Sequence, residues 1–160
     1  QLTALASGPR AAWDRVLPAV ATFSNAQIYL GGEEQARYMK LAVNIVVANS
    51  AAVLAEALAL GHKGGIDWNT MLDALAASTI GSPWIRAKAD RLKAHDYTPT
   101  FTTPQIQKDI DLILAAGAAH GVAMPLTALT RALTEKVVEA GLGAEDFIAL
   151  VKIAADDMPR

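Results

Sequence analysis

EQARYMKLAVNIVVANSAAVLAEALAL, residues 34–60, decides the fold. It holds neither Pro nor Gly, with Gly31-Gly32 before it and Gly61 after it. Nothing inside the stretch interrupts a helix, and as one α-helix it spans about 40 Å at 1.5 Å per residue. Most of it is apolar on every side, the pattern of a helix buried in a core or crossing a membrane. Asn44, Asn49, Ser50 and Glu56 fall inside the apolar run, and neither an aromatic belt nor a basic flank follows it. An acidic residue in mid-span costs roughly 2.5–3.5 kcal/mol on insertion. A core helix, with no membrane partner, is therefore expected.

Lys40 and Asn44 stand one turn apart on one face near the start of this helix. Spacing alone leaves two readings open. Lys40 is a lysine snorkelling at the helix's polar entrance and Asn44 an amide satisfied by a neighbouring helix. Alternatively, a partly buried Lys40 is an acid/base beside an amide that holds a substrate oxygen.

The rest of the composition narrows the class. The 160 residues fit one domain, with room for a fragment of another. With no cysteine, disulfides and thiol chemistry are excluded. A net charge of −2 and a pI near 5.9 provide no basic field for nucleic acid. Apolar residues make up 52% of the chain against 6% aromatic, and Ala and Leu dominate over β-branched runs. That balance favours helices. Gln1-Leu2-Thr3 opens without the basic region of a signal peptide, and a cytoplasmic location is expected.

Leu2–Ala6 reads as a short strand, and Ser7-Gly8-Pro9 starts a helix through Trp13, Val16 and Leu17, with Ser7 or Gly8 as its cap. Ala26–Gly32 reads as a second strand and a turn. A chain that opens inside a β-α-β unit is expected to continue a larger domain, so residues 1–32 read as a remnant and 33–160 as an all-helical domain. His62–Asp67 is a loop whose Asp67 caps a helix carrying Met71, Leu72 and Leu75. Thr79–Gly81 ends that helix, and Ser82-Pro83 opens another carrying Trp84, Ile85, Ala89 and Leu92. His95–Pro104 is a loop. A helix from Pro104 carries Ile106, Ile110, Ile113 and Leu114. One from Met124-Pro125 carries Leu129, Leu133 and Val137, and a last one over 144–155 presents Phe147, Leu150 and Val151 on one face.

Lys108-Asp109 is a second polar pair, read as lying in the first turn of its helix, where Asp suits the dipole and Lys does not. His62, His95 and His120 lack metal-ligand spacing, so no metal is expected. No GxGxxG or GxSxG frame occurs, so the chain carries no dinucleotide fingerprint of its own.

Taken together, these motifs resemble the C-terminal domain of the β-hydroxyacid dehydrogenases, the group of 3-hydroxyisobutyrate dehydrogenase, tartronate semialdehyde reductase and 6-phosphogluconate dehydrogenase. MKLAVNIVVANS (Met39–Ser50) is similar to the family's catalytic helix, with Lys40 in the place of the catalytic lysine and Asn44 in that of the substrate-binding asparagine. FTTPQIQKDIDLIL (Phe101–Leu114) resembles its later motif, in which Lys108 lies near the cofactor while Asp109 and Phe101 support the site. LAEALALGHKGGID (Leu54–Asp67), GLGAEDFIAL (Gly141–Leu150) and LTALASG (Leu2–Gly8) extend the resemblance along nearly the whole chain. Glu34 and Ala36 stand where the family has glycines before the lysine, and Val43-Asn44 where it often has paired asparagines.

The resemblance implies a mainly α fold, a 6-phosphogluconate dehydrogenase C-terminal-like bundle around one long helix, behind a βαβ remnant of a Rossmann domain. It implies NAD or NADP as cofactor, held mainly by an N-terminal domain that these residues lack. The 160 residues alone are thus expected to be inactive. A small hydroxy acid is the implied substrate, and a homodimer through the long helix the implied assembly. Two rivals stand beside this reading: a non-catalytic oligomerisation module and an imine reductase, a group that generally replaces the lysine by Asp or Tyr.

Overall fold

The computed structural model describes residues 2–159. It is mainly helical and divides into two compact units, one up to Ile45 and one from Val46 onwards.

In the first unit, strands β1 (Thr3–Ala6) and β2 (Ala26–Tyr29) pair in parallel, Thr3 opposite Ala26 and Ala6 opposite Tyr29. Helix α1 (Arg10–Val20) connects them, which completes the expected β-α-β unit. Trp13 of α1 stacks on Tyr29, and the Tyr29 hydroxyl donates to the Gly8 carbonyl at 2.7 Å. The expected cap is corrected here. Pro9 occupies the N-cap of α1 with no side-chain hydrogen bond, while the Ser7 hydroxyl accepts from the Ala36 N–H at 3.2 Å. Ser7 is thereby spent on the next helix in the chain. Gly8 sits at φ +119°, a backbone region costly for any side chain, so the strand-to-helix corner needs glycine.

Helix α2 runs Gln35–Lys63, one turn further than its glycine-free stretch. Gly61 is accommodated inside the last turn, and the helix stops at Gly64-Gly65, where Gly65 takes φ +80°. The helix has the length and hydropathy of a membrane span, and 44% of its most apolar window is buried in protein.

The second unit stacks α3 (Trp68–Ala77), α4 (Pro83–Lys93), α5 (Thr103–Ala119), α6 (Pro125–Glu139) and a 3-10 helix (Phe147–Ile153) with the later part of α2. The caps read from sequence hold: the Asp67 carboxylate accepts from the Thr70 N–H and the Ser82 hydroxyl from the Ile85 N–H. Between these helices, a Cβ added at Gly81 would lie 2.1 Å from the Ala76 carbonyl oxygen, so the break can be made only by glycine. The start of α5 is a capping box: Thr102 and Gln105 satisfy each other's backbone N–H groups. Leu58, Leu72, Leu92, Ile106, Ile110, Val137 and Ile148 fill the core.

Two sequence expectations fail for packing reasons. Of the residues read along α6, Val137 is buried and Leu133 packs against the core but Leu129 is 55% exposed, and Thr127, Thr130 and Thr134 complete the inward face. The threonines turn inward because α2 offers an amide: Asn49 donates to the Thr127 hydroxyl at 3.2 Å and accepts from that of Thr130 at 2.7 Å. Asn49→Leu should therefore strand two buried hydroxyls, and a destabilisation of about 1–3 kcal/mol in urea unfolding is expected. The last segment is a 3-10 helix of seven residues rather than an α-helix over 144–155. Phe147, Ile148, Ala149, Leu150 and Val151 are all buried in succession, while Lys152 and Ile153 are half-buried, so burial here follows no α-helical period.

Candidate active site

Lys40 and Asn44 lie on α2 within the first unit, one helical turn apart and on the same face. Asn44 is buried, at 7% exposure, and makes interactions of its own. Of the two readings of Lys40, the exposure matches the lysine that reaches solvent at the helix entrance and not the partly buried one: its side chain is exposed. The first turns of α2 carry Tyr38 and Met39, themselves exposed, and the packed core of the helix begins only at Ala48. A buried amide thus sits one turn from a solvent-reaching ammonium. Such a pair can hold an oxygen and exchange a proton with it.

The second pair is local to α5, in the second unit. Thr102 is the N-cap, so Lys108 and Asp109 occupy the second turn and not the first. The helix-dipole account of Asp109 therefore falls, since that effect fades beyond the first turn. Lys108 is exposed and Asp109 half-buried with partners. Phe101, just before the cap, meets Phe147 edge-on with ring centroids 6.2 Å apart, and its carbonyl accepts from the Phe147 N–H at 2.9 Å. It supports the helix start and presents no reactive atom.

Reading along the sequence missed the charged cluster beneath that start. Asp146, wholly buried, accepts from the Lys88 ammonium at 2.7 Å, from the Ile148 N–H at 3.1 Å and from both the hydroxyl and the N–H of Thr100 at 2.6 and 3.1 Å. Arg91 stands 3.5 Å from its other oxygen. Burial pushes the Asp146 carboxyl up, but the Lys88 and Thr100 hydrogen bonds outweigh it and hold the group below the ordinary carboxylate value. Lys88 also lies 5.0 Å over the Phe147 ring. Arg91 hydrogen-bonds Asp96 and the Thr98 carbonyl, and its hydrogen bond pulls the Asp96 carboxyl down as well. Nearby, burial and then the charge of Glu145 push the Tyr97 phenol up to about 12, so it stays protonated. One signal was legible. Lys88 falls on the stripe Ile85, Ala89, Leu92, and a lysine on a buried stripe demands an anion.

Comparison with known proteins bears directly on the stretch holding both lysine motifs. Residues 35–154 match the family described as the NAD-binding domain of NADP-dependent 3-hydroxyisobutyrate dehydrogenase. This chain belongs to the 3-hydroxyisobutyrate dehydrogenase family. Among its relatives, glyoxylate/succinic semialdehyde reductase 1 of Arabidopsis thaliana is 32% identical over 152 residues, which are 95% of this chain and 53% of that protein. The 2-(hydroxymethyl)glutarate dehydrogenase of Eubacterium barkeri is 28% identical over 95% of this chain and 51% of its own length. The crystal structure of 3-hydroxyisobutyrate dehydrogenase from Salmonella typhimurium shares the fold with a TM-score of 0.84, at 24% identity, over 92% of this chain and 52% of that one. The chain spans about half the length of the curated relatives it matches.

The family is one of named dehydrogenases, and its cofactor is NAD(P). Lys108 is an exposed cation on a helix whose start is capped. The glycine cradle for a pyrophosphate is not among these 160 residues.

Proposed function

We propose that this chain is the substrate-binding and subunit-contact part of an NAD(P)-dependent 3-hydroxyacid dehydrogenase, a 6-phosphogluconate dehydrogenase C-terminal-like bundle. One observation carries the reading: the exposed Lys40 and the buried Asn44 share one face of α2 inside the stretch that matches the family. The nicotinamide, when bound, supplies or accepts the hydride. Lys40 gives its Nζ proton to the substrate's carbonyl oxygen during reduction and takes it back from the hydroxyl during oxidation. Asn44 holds the same oxygen or the neighbouring carboxylate, which fixes the attack geometry. Lys108 offers its charge to the cofactor, and Asp109 and Phe101 keep that part of α5 in place.

Names such as glyoxylate reductase and succinic semialdehyde reductase point to substrates that carry a carbonyl and a carboxylate together. The test is NAD(P)H oxidation by the full-length enzyme with small 3-oxo acids and semialdehydes. Turnover of cyclic imines above that of any oxo acid would refute the assignment. The 160 residues alone are expected to be inactive, since they hold no GxGxxG frame for a dinucleotide.

For assembly, we propose a homodimer through α2. Val46, Val53 and Leu60 recur at seven-residue intervals and are 66, 55 and 77% exposed, a seam that a second copy of the same helix can match. Light scattering at micromolar concentration should show a dimer, and Val53→Glu should shift it to monomer. A monomeric unsubstituted protein would refute this.

A further inference from the structure

We infer that Asp146 is a positioning residue for the helix that carries Lys108, acting through Thr100 and the loop before α5. This rests on the proposal above that Lys108 faces the cofactor. The loop from Tyr97 to Thr102 is laced to the start of the 3-10 helix. The Asp146 N–H donates to the Tyr97 carbonyl at 2.9 Å, the Phe147 N–H to that of Phe101 at 2.9 Å, and Thr102 forms an antiparallel bridge with Asp146. Both Thr100 donors converge on one oxygen of the Asp146 carboxylate, and Lys88 of α4 takes the other. A single buried carboxylate thus joins α4, the 3-10 helix and the last residues before the Thr102 cap.

From that cap α5 runs as one unbroken helix, and Lys108 lies six residues on, about 9 Å along the axis. A small tilt at the start is therefore carried to the Lys108 ammonium, where displacements near 1 Å weaken a positioned contact. Thr100 is the point at which the buried carboxylate holds the loop that leads into α5, since both its hydroxyl and its N–H end on that carboxylate. Ile148 N–H and Lys88 hold one of its oxygens, and Thr100, with Arg91 3.5 Å away, holds the other.

The decisive experiment compares Asp146→Asn, Thr100→Val and Lys108→Ala in the full-length enzyme. Kinetics are run on variants that retain their helical signal, beside amide NMR spectra of the Lys108 and Asp109 positions. Asp146→Asn should raise the KM for NAD(P)H about ten-fold with kcat within about two-fold, as loss of an orienting partner does. Thr100→Val, which keeps the Lys88 pair, should raise it about three-fold and move the Lys108 amide signal while that of Asn49 stays put. If Lys108→Ala raises this KM but a folded Thr100→Val leaves both KM and the Lys108 signal unchanged, the positioning role is wrong and the cofactor role of Lys108 stands. If Lys108→Ala itself leaves KM unchanged, both fail. Should Asp146→Asn not fold, Thr100→Val decides.

Discussion

Lys40→Ala in the full-length enzyme is expected to lower kcat by about 10²–10⁴-fold, the range over which a positioned general acid–base contributes. The substitution is unusually clean to interpret. The Lys40 side chain is exposed, so its removal leaves no buried cavity. Thermal unfolding should therefore be unchanged within about 0.5 kcal/mol while turnover collapses. Asn44→Ala should behave differently. Asn44 is buried and engaged, so its loss should cost stability as well as substrate affinity. Steady-state NAD(P)H oxidation beside urea unfolding separates the two residues. Equal turnover by the unsubstituted enzyme and Lys40→Ala would remove Lys40 from the chemistry and leave the non-catalytic module as the better account.

Asp146→Ala should be strongly destabilising, by about 3–5 kcal/mol, because it leaves the Lys88 ammonium buried without its anion. The Thr100 and Ile148 donors lose their acceptor in the same step. Replacing both partners by apolar residues, Lys88→Met with Asp146→Leu, should recover much of that loss, since neither charge is then buried alone. Chemical unfolding of the single and double variants measures both effects. The pair also sets an acid limit. The Asp146 carboxyl is held below its ordinary value of 3.8 in the folded protein. Its contribution is therefore complete above the unfolded-state value and is lost as pH falls from there through the lowered folded value. Unfolding followed from pH 5 downwards should show stability falling over that range, with the slope reduced in the apolar double variant.

Much of this architecture was legible residue by residue. Asp67 and Ser82-Pro83 announce α3 and α4 because a side-chain oxygen before a helix meets donors that are unpaired in any context. The parallel strands followed from two short runs flanking a proline-started helix, and α2 from its freedom from Pro and Gly. The pairing of Lys40 with Asn44 was equally readable, since a spacing of four residues places two side chains on one helix face whatever surrounds them. Burial was not readable, because it depends on what packs against each face. The sequence left Lys40 either snorkelling or partly buried, and it is exposed. Lys108-Asp109 moved to the second turn because Thr102, not Pro104, begins the structure of α5.

What the sequence determined by itself is local: the helices, most of their caps, and the order of the β-α-β unit, all set by contacts within a few residues. Tertiary structure alone decided that α6 turns threonines inward to meet Asn49, and that the last segment buries five successive residues as a 3-10 helix. It alone brought Lys88 to Asp146 across 58 residues. A buried charge is stable only where another element delivers its partner, and no spacing along the chain encodes that meeting.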